Sequence, residues 1–121
     1  MRIVIPFILA AAFLAQAASA ADPAKGKAVF QSTCAMCHSD VAGKNGIGPS
    51  LFGVPGRKAG SEPGFKYSPA MTKAGIAWTP ENLDAFVASP QTVVHGTAMP
   101  FGGLKDAAKR ADLVAYLGTL K

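Results

Sequence analysis

The chain is poor in the features that mark most functional classes. Its 121 residues hold only two cysteines and two histidines. Two cysteines spaced as Cys34-x-x-Cys37 leave three ordinary uses: a redox dithiol, half of a zinc site, or covalent attachment of a cofactor. Basic side chains outnumber acidic ones by twelve to seven, a formal charge of +5. They form no basic run, which argues against a nucleic-acid partner. After residue 20 no apolar stretch approaches the ~20 residues that a spanning helix needs, so membrane insertion of the domain is not expected. No segment alternates convincingly as a strand, and there is no internal repeat or low-complexity tract. These absences leave one small all-α domain as the expectation.

What is present begins with a distinct leader. Arg2 is followed by the apolar run Ile3 to Ala18, broken by Pro6 and Gln16, and then by Ala18-Ser19-Ala20. Residues 1–20 read as a cleavable secretory signal peptide, which places the domain, residues 21–121, outside the cytoplasm, in the periplasm. Asp22-Pro23 opens a first helix expected over Ala24 to about Ala35, with Gly26, Val29, Phe30 and Thr33 on one face. Ser39 to Gly64 is punctuated by Gly and Pro and reads as one long loop. A loop of that length in a compact domain usually wraps something, and Leu51 and Phe52 within it point the same way. Ser68-Pro69 caps a short helix to about Lys73. Thr79-Pro80-Glu81 caps a clearer one ending before Pro90, with Leu83, Phe86 and Val87 inward. Val93 to Gly103 reads as a second irregular loop. A last helix starts near Asp106 and carries Leu113, Tyr116, Leu117 and Leu120 on one face.

Between the first helix and the long loop lies Cys34-Ala35-Met36-Cys37-His38. Two thiols separated by two residues can add across the two vinyl groups of a haem, and the adjacent histidine can then reach the iron; this spacing is the attachment signature. The dithiol reading wants a β-α-β setting, which is not visible. The zinc reading wants four ligands, and only His38 and His95 could join the thiols. Export favours haem attachment, so one covalently held haem c is expected. A six-coordinate haem needs a second axial ligand, commonly a thioether or imidazole. The candidates are Met36, Met71, Met99 and His95. Met36 sits inside the motif, and Met71 falls in a short helix where methionine usually fills space. Met99 lies in the irregular loop, held extended by Pro100 and among glycines that let the chain approach a ring. Met99 is therefore the expected ligand, with His95 as the alternative.

Beyond the pentapeptide, an ordered series of motifs resembles the class I cytochromes c, in particular short bacterial cytochromes c2 and mitochondrial cytochrome c. It runs through Gly48-Pro49-Ser50-Leu51-Phe52-Gly53, Gly56-Arg57-Lys58, Gly64-Phe65-Lys66-Tyr67, Gly75-Ile76-Ala77-Trp78, Gly96-Thr97-Ala98-Met99-Pro100-Phe101 and Asp112 to Leu117. The resemblance implies the class I fold, three to five helices and long loops wrapped around one haem. It implies that Pro49 offers its carbonyl to the His38 ring, that Tyr67 and Trp78 bond the haem propionates, and that Arg57 offsets their charge. Thr97 and Phe101 are implied as further cofactor contacts, Phe101 covering the edge near Met99. Gly26 and Phe30 would meet Leu113 and Tyr116 where the first and last helices cross.

Three features depart from that resemblance. Met71 and Phe86 stand where relatives carry a polar Asn and Tyr, which implies a drier crevice and a higher potential. Ala28, Thr33, Gln91, Thr92 and Ala98 replace lysines that ring the haem edge in many relatives, leaving Lys105. Met71 adds a second thioether near the iron, read as packing.

The expected function is a single-electron carrier, not an enzyme. It would run as a monomer between a quinol-oxidising complex or dehydrogenase and a terminal oxidase or reaction centre. The competing expectation is a haem enzyme or gas-binding protein with an open distal site.

Overall fold

A computed structural model describes residues 20–121. The leader read as an export signal therefore lies, apart from Ala20, outside the described residues. Helix α1 spans Pro23–Val29, α2 Pro69–Thr72, α3 Pro80–Ala88, α4 Pro90–Val93 and α5 Ala107–Leu117. Among the described residues there is no strand, only an isolated bridge between Lys58 and Ala77.

The helix starts follow the local chemistry. Each of α1 to α4 has proline in its first turn, where a missing N–H costs nothing. Asp22, Ser68, Thr79 and Asp106 each accept a hydrogen bond from a backbone N–H of the turn they open. The first helix does not end at Val29 but widens into a π-turn over Phe30–Cys34, in which the Ala35 N–H reaches the Phe30 carbonyl at 2.9 Å. Such turns add a residue per bond, and here one delivers Cys34 to the end of the helix. Helix α4 was not expected from the sequence. Pro90 stops α3 and at once starts a four-residue turn closed by Val94 N–H on the Pro90 carbonyl, 2.9 Å.

The first and last helices cross at Gly26. A Cβ there would collide with the Asp112 carbonyl and lie 2.8 Å from Tyr116 Cβ, so only glycine allows this approach. The crossing is pinned on both sides. Asp22 N–H donates to Asp112 Oδ1 at 2.8 Å, and the Phe30 and Tyr116 rings pack at 5.6 Å with a 55° tilt. Leu113 is fully buried beside them. Tyr116 also donates its phenolic proton to the Asp40 carboxylate. Burial foremost, then that bond and that charge, push the phenol up to about 12. Arg110 joins α5 to α3 through Asp84 at 3.0 Å and to the Leu104 carbonyl at 2.9 Å.

The long loop keeps its shape through side chains that satisfy backbone groups. Asn45 accepts from Ser50 N–H at 2.9 Å and donates to the Pro63 carbonyl at 3.1 Å, tying two distant loop segments together. Ser50, wholly buried, donates to the Val41 carbonyl at 2.6 Å. Leu51 turns inward as expected, but Phe52 does not: it is 37% exposed and faces away from the cleft described next. Its neighbour Ser50 takes the interior position, because the loop's backbone needs a buried hydroxyl there.

Candidate functional site

The helices and loops enclose a cleft of about 440 Å³. Cys34, Cys37, His38, Pro49, Arg57, Tyr67, Trp78, Thr97, Met99 and Phe101 all line it, so the residues expected to hold the cofactor and the preferred ligand pair meet in one place. A second depression of about 490 Å³ between α3 and α5 is open to solvent. It holds the Asp84–Arg110 pair and none of the residues expected to contact the cofactor.

The attachment motif reaches the cleft from the π-turn. The N–H groups of Cys37 and His38 both close on the Cys34 carbonyl, at 3.1 and 3.0 Å, folding the five residues into a tight turn. The Cys34 thiol is pushed up to about 11 by burial and then by the adjacent Cys37. A redox dithiol needs a thiol that ionises readily, so this setting is unsuited to that chemistry. Among the described residues no three His, Cys, Asp or Glu side chains come together as a metal cluster, which leaves zinc without a ligand set.

His38 is held by Pro49. Its Nδ1 lies 2.8 Å from the Pro49 carbonyl and donates to it, which leaves the Nε2 lone pair for a metal. Burial lowers the pKa of His38; the Pro49 bond opposes this and the Arg57 charge adds to it. The ring is thereby held neutral, the form that ligates. Gly48 is buried against it, and any Cβ there would fall on the imidazole.

Met99 enters from the loop after α4. Gln91 braces that loop: its amide donates to the Thr97 carbonyl at 2.8 Å and accepts from Gly96 N–H at 3.0 Å. Sequence reasoning treated Gln91 only as a missing lysine. Gly96 has φ +92°, where other residues are strained. Phe101 N–H returns to the Met99 carbonyl at 2.9 Å, closing a turn around Pro100. Met71 is buried in the cleft wall. His95 is exposed and does not line the cleft.

The cleft fits a flat apolar macrocycle with acidic groups at one end. Its walls are Leu51, Val54, Met71, Leu83, Phe86, Val87, Leu113 and Leu117, while Arg57, Tyr67 and Trp78 supply polar atoms. Arg57 spends Nη1 on Glu62 at 2.7 Å and on the Phe52 carbonyl, and Nη2 on the Ser50 carbonyl at 3.0 Å. Its Nε is buried without a partner. The Tyr67 hydroxyl accepts from Glu62 N–H at 3.0 Å, which leaves its own proton to donate. Two such donors suit a carboxylate, which is costly to bury unless hydrogen-bonded. Glu62 was missed by sequence reasoning; an acidic residue five places after Arg57 in a Gly/Pro-rich loop was the only signal.

The mouth is mostly uncharged. Met36 is 88% exposed and Ile47 71%. Of the charged side chains, Arg57 and Lys66 line the cleft. Lys105, the lysine expected at the rim, places its amine on the Ala88 carbonyl at 2.5 Å and so caps the end of α3.

Comparison with known proteins agrees with this geometry. The family model for Cytochrome c matches residues 23–121. Cytochrome c2 of Rhodopila globiformis is 51% identical over 100 residues, covering 83% of this chain and 94% of that protein. Cytochrome c2 of Rhodomicrobium vannielii is 46% identical over 106 residues, covering 87% and 84%. Among solved structures, cytochrome cH from Methylobacterium extorquens superposes with a TM-score of 0.75 at 41% identity, covering 81% of this chain and 98% of that one.

Proposed function

The chain belongs to the cytochrome c family, a c-type electron carrier with covalently attached haem c, and on that premise we propose that it is a soluble periplasmic shuttle in which His38 and Met99 both ligate the iron. The bound haem supplies a single-electron couple. Cys34 and Cys37 anchor it, and Arg57, Tyr67 and Trp78 receive its acidic edge. Pro49 holds the His38 tautomer, and Gln91 with Thr97 steadies the loop that presents Met99. Thr97 and Phe101 flank the cleft beside Met99 and exclude water.

The observation that carries the reading is the convergence of His38, with its Nδ1 committed to Pro49, and Met99 on one apolar cleft. His38 and Met99 would together hold the iron and leave no open site for a substrate, and His/Met ligation would favour a positive potential. The leader at residues 1–20 supports export, and none of the described helices is long and apolar enough to cross a membrane. The donor would be a quinol-oxidising complex or dehydrogenase, the acceptor a terminal oxidase or reaction centre, and the working state a monomer.

The visible spectrum of the ferric and ferrous protein tests this. The ferric form should show the far-red thioether–iron band and lose it in Met99→Ala. Absence of the band in the wild type, with carbon monoxide binding at neutral pH, would instead mark an open-site haem enzyme or gas-binding protein.

A further inference from the structure

Arg57 and Glu62 make a largely buried ion pair directly behind the polar end of the cleft, with side chains 13% and 11% exposed and 2.7 Å between Nη1 and Oε2. Sequence reasoning assigned Arg57 to offset the charge of the haem's carboxylates. The structure gives Arg57 a carboxylate of its own. Glu62 also meets the second donor of that end, since its backbone N–H bonds the Tyr67 hydroxyl. One residue therefore contacts two of the three groups assigned to the acidic edge.

We propose that Glu62 is a positioning residue and internal counter-charge: it fixes Arg57 and Tyr67 as hydrogen-bond donors while cancelling the Arg57 charge, and so holds the reduction potential below the value that Arg57 alone would set. This rests on the haem-carrying reading above.

The argument has a geometric and an electrostatic half. Arg57 is gripped by Glu62, the Phe52 carbonyl and the Ser50 carbonyl, which use both Nη atoms. Nε, buried and unpartnered, and the second Nη2 hydrogen remain, and Arg57 lines the cleft. A guanidinium held on three oxygens cannot swing, so its free donors are preset for an anion. As to charge, a lone cation near a redox centre favours the state that has gained an electron. A cation and carboxylate in contact form a dipole instead, whose field dies away much faster. Being largely shielded from solvent, the pair is screened less by salt than an exposed charge. Glu62 itself does not line the cleft, so its effect is transmitted through Arg57 and Tyr67 and through its field.

Midpoint potentials of the haem-loaded protein decide the matter. Glu62→Gln keeps the acceptor for Arg57 but removes the charge; its potential should rise, and the rise should persist when ionic strength is increased about tenfold. Glu81→Gln, an exposed acid in the first turn of α3, should give no shift that survives that salt. Arg57→Gln alone should lower the potential, and the double variant Arg57→Gln/Glu62→Gln should recover part of that fall, because the stranded Glu62 charge has been removed while the Arg57 donor is still missing. An unchanged or lowered potential in Glu62→Gln, or a double variant that stays at the Arg57→Gln value, overturns the proposal. If Glu62→Gln fails to load haem, the comparison of Arg57→Gln with wild type still decides, since an unchanged or raised potential there overturns it too. Failure of the carrier reading itself would show separately, as a missing far-red band in the wild type.

Discussion

Gly26→Ala is the sharpest test of how the domain is held together. The new Cβ would lie 2.6 Å from the Asp112 carbonyl carbon and 2.8 Å from Tyr116 Cβ, and closer still to the Asp112 oxygen. Carbon atoms rest at about 3.5–4 Å, so α1 must retreat from α5 by roughly 1 Å. The obstacle is the backbone of α5, which no rotamer change relieves. Overpacking of this kind costs about 1–3 kcal/mol, and alanine's better helix propensity returns up to ~1 kcal/mol. The retreat also loosens Phe30 against Tyr116 and Leu113, which places the net loss near 2 kcal/mol. For a domain of this size that corresponds to a fall in Tm of about 10 °C. Thermal unfolding of the haem-loaded protein by far-ultraviolet circular dichroism measures it. Gly102→Ala, where a Cβ meets nothing within 4 Å, is the control and should not shift. A Gly26→Ala melt within ~3 °C of wild type would refute the claim that this glycine sets the helix spacing.

Three further outcomes are expected. Phe86→Tyr places a hydroxyl in the cleft wall beside Trp78, whose ring lies 4.9 Å away; it should favour the more charged ferric state and lower the potential, and a potentiometric titration showing no change or a rise counts against a dry crevice. Electron transfer to a redox partner should vary little with ionic strength, since Lys105 is turned to Ala88 and the mouth carries exposed Met36 and Ile47; a steep decline in stopped-flow rate with added salt would contradict this. Tyr116 keeps its proton up to about 12 against an ordinary 10.0, so its contribution to stability is complete below pH 10 and is lost as pH rises through 12. Denaturant titrations should show wild type losing stability more steeply than Tyr116→Phe across that window, and parallel curves would remove Tyr116 as the cause.

The sequence was most legible where a residue acts through its own type and spacing. Asp22-Pro23, Ser68-Pro69 and Thr79-Pro80 start helices because cap and proline chemistry is local, and Cys34-x-x-Cys37-His38 announces itself because attachment chemistry demands contiguous residues. Met99 could be chosen because its alternatives were few. Residues that act by closing a fold were hidden. Asn45 matters because Ser50 and Pro63 come to it, and Gln91 because Gly96 and Thr97 do. Glu62 reads as one more loop acid until Arg57 folds onto it. Phe52 misled for the reverse reason: its apolarity suggested an inward position that the loop's hydrogen-bonding needs gave to Ser50. Lys105 likewise looked like a docking charge until the end of α3 was seen to claim it.

The same division separates stability from redox tuning. Of the thirteen buried apolar residues among those described, Val54, Met71, Trp78, Leu83, Phe86, Val87, Leu113 and Leu117 line the cleft. Most of the core therefore packs against the cofactor's space, and a change there alters both packing and the polarity around the iron. Phe30 and Tyr116 are buried but stand outside the cleft, with Gly26 at the helix crossing. They hold α1, whose π-turn extension delivers Cys34, onto α5, which supplies part of the cleft wall. Substitutions at the crossing should accordingly lower Tm while leaving the midpoint potential of the folded protein nearly unchanged, whereas Phe86→Tyr should shift the potential as well as Tm. A carrier needs walls that do not move when charge changes. This chain meets that need by fixing its cleft from outside, at a helix crossing whose spacing one glycine sets.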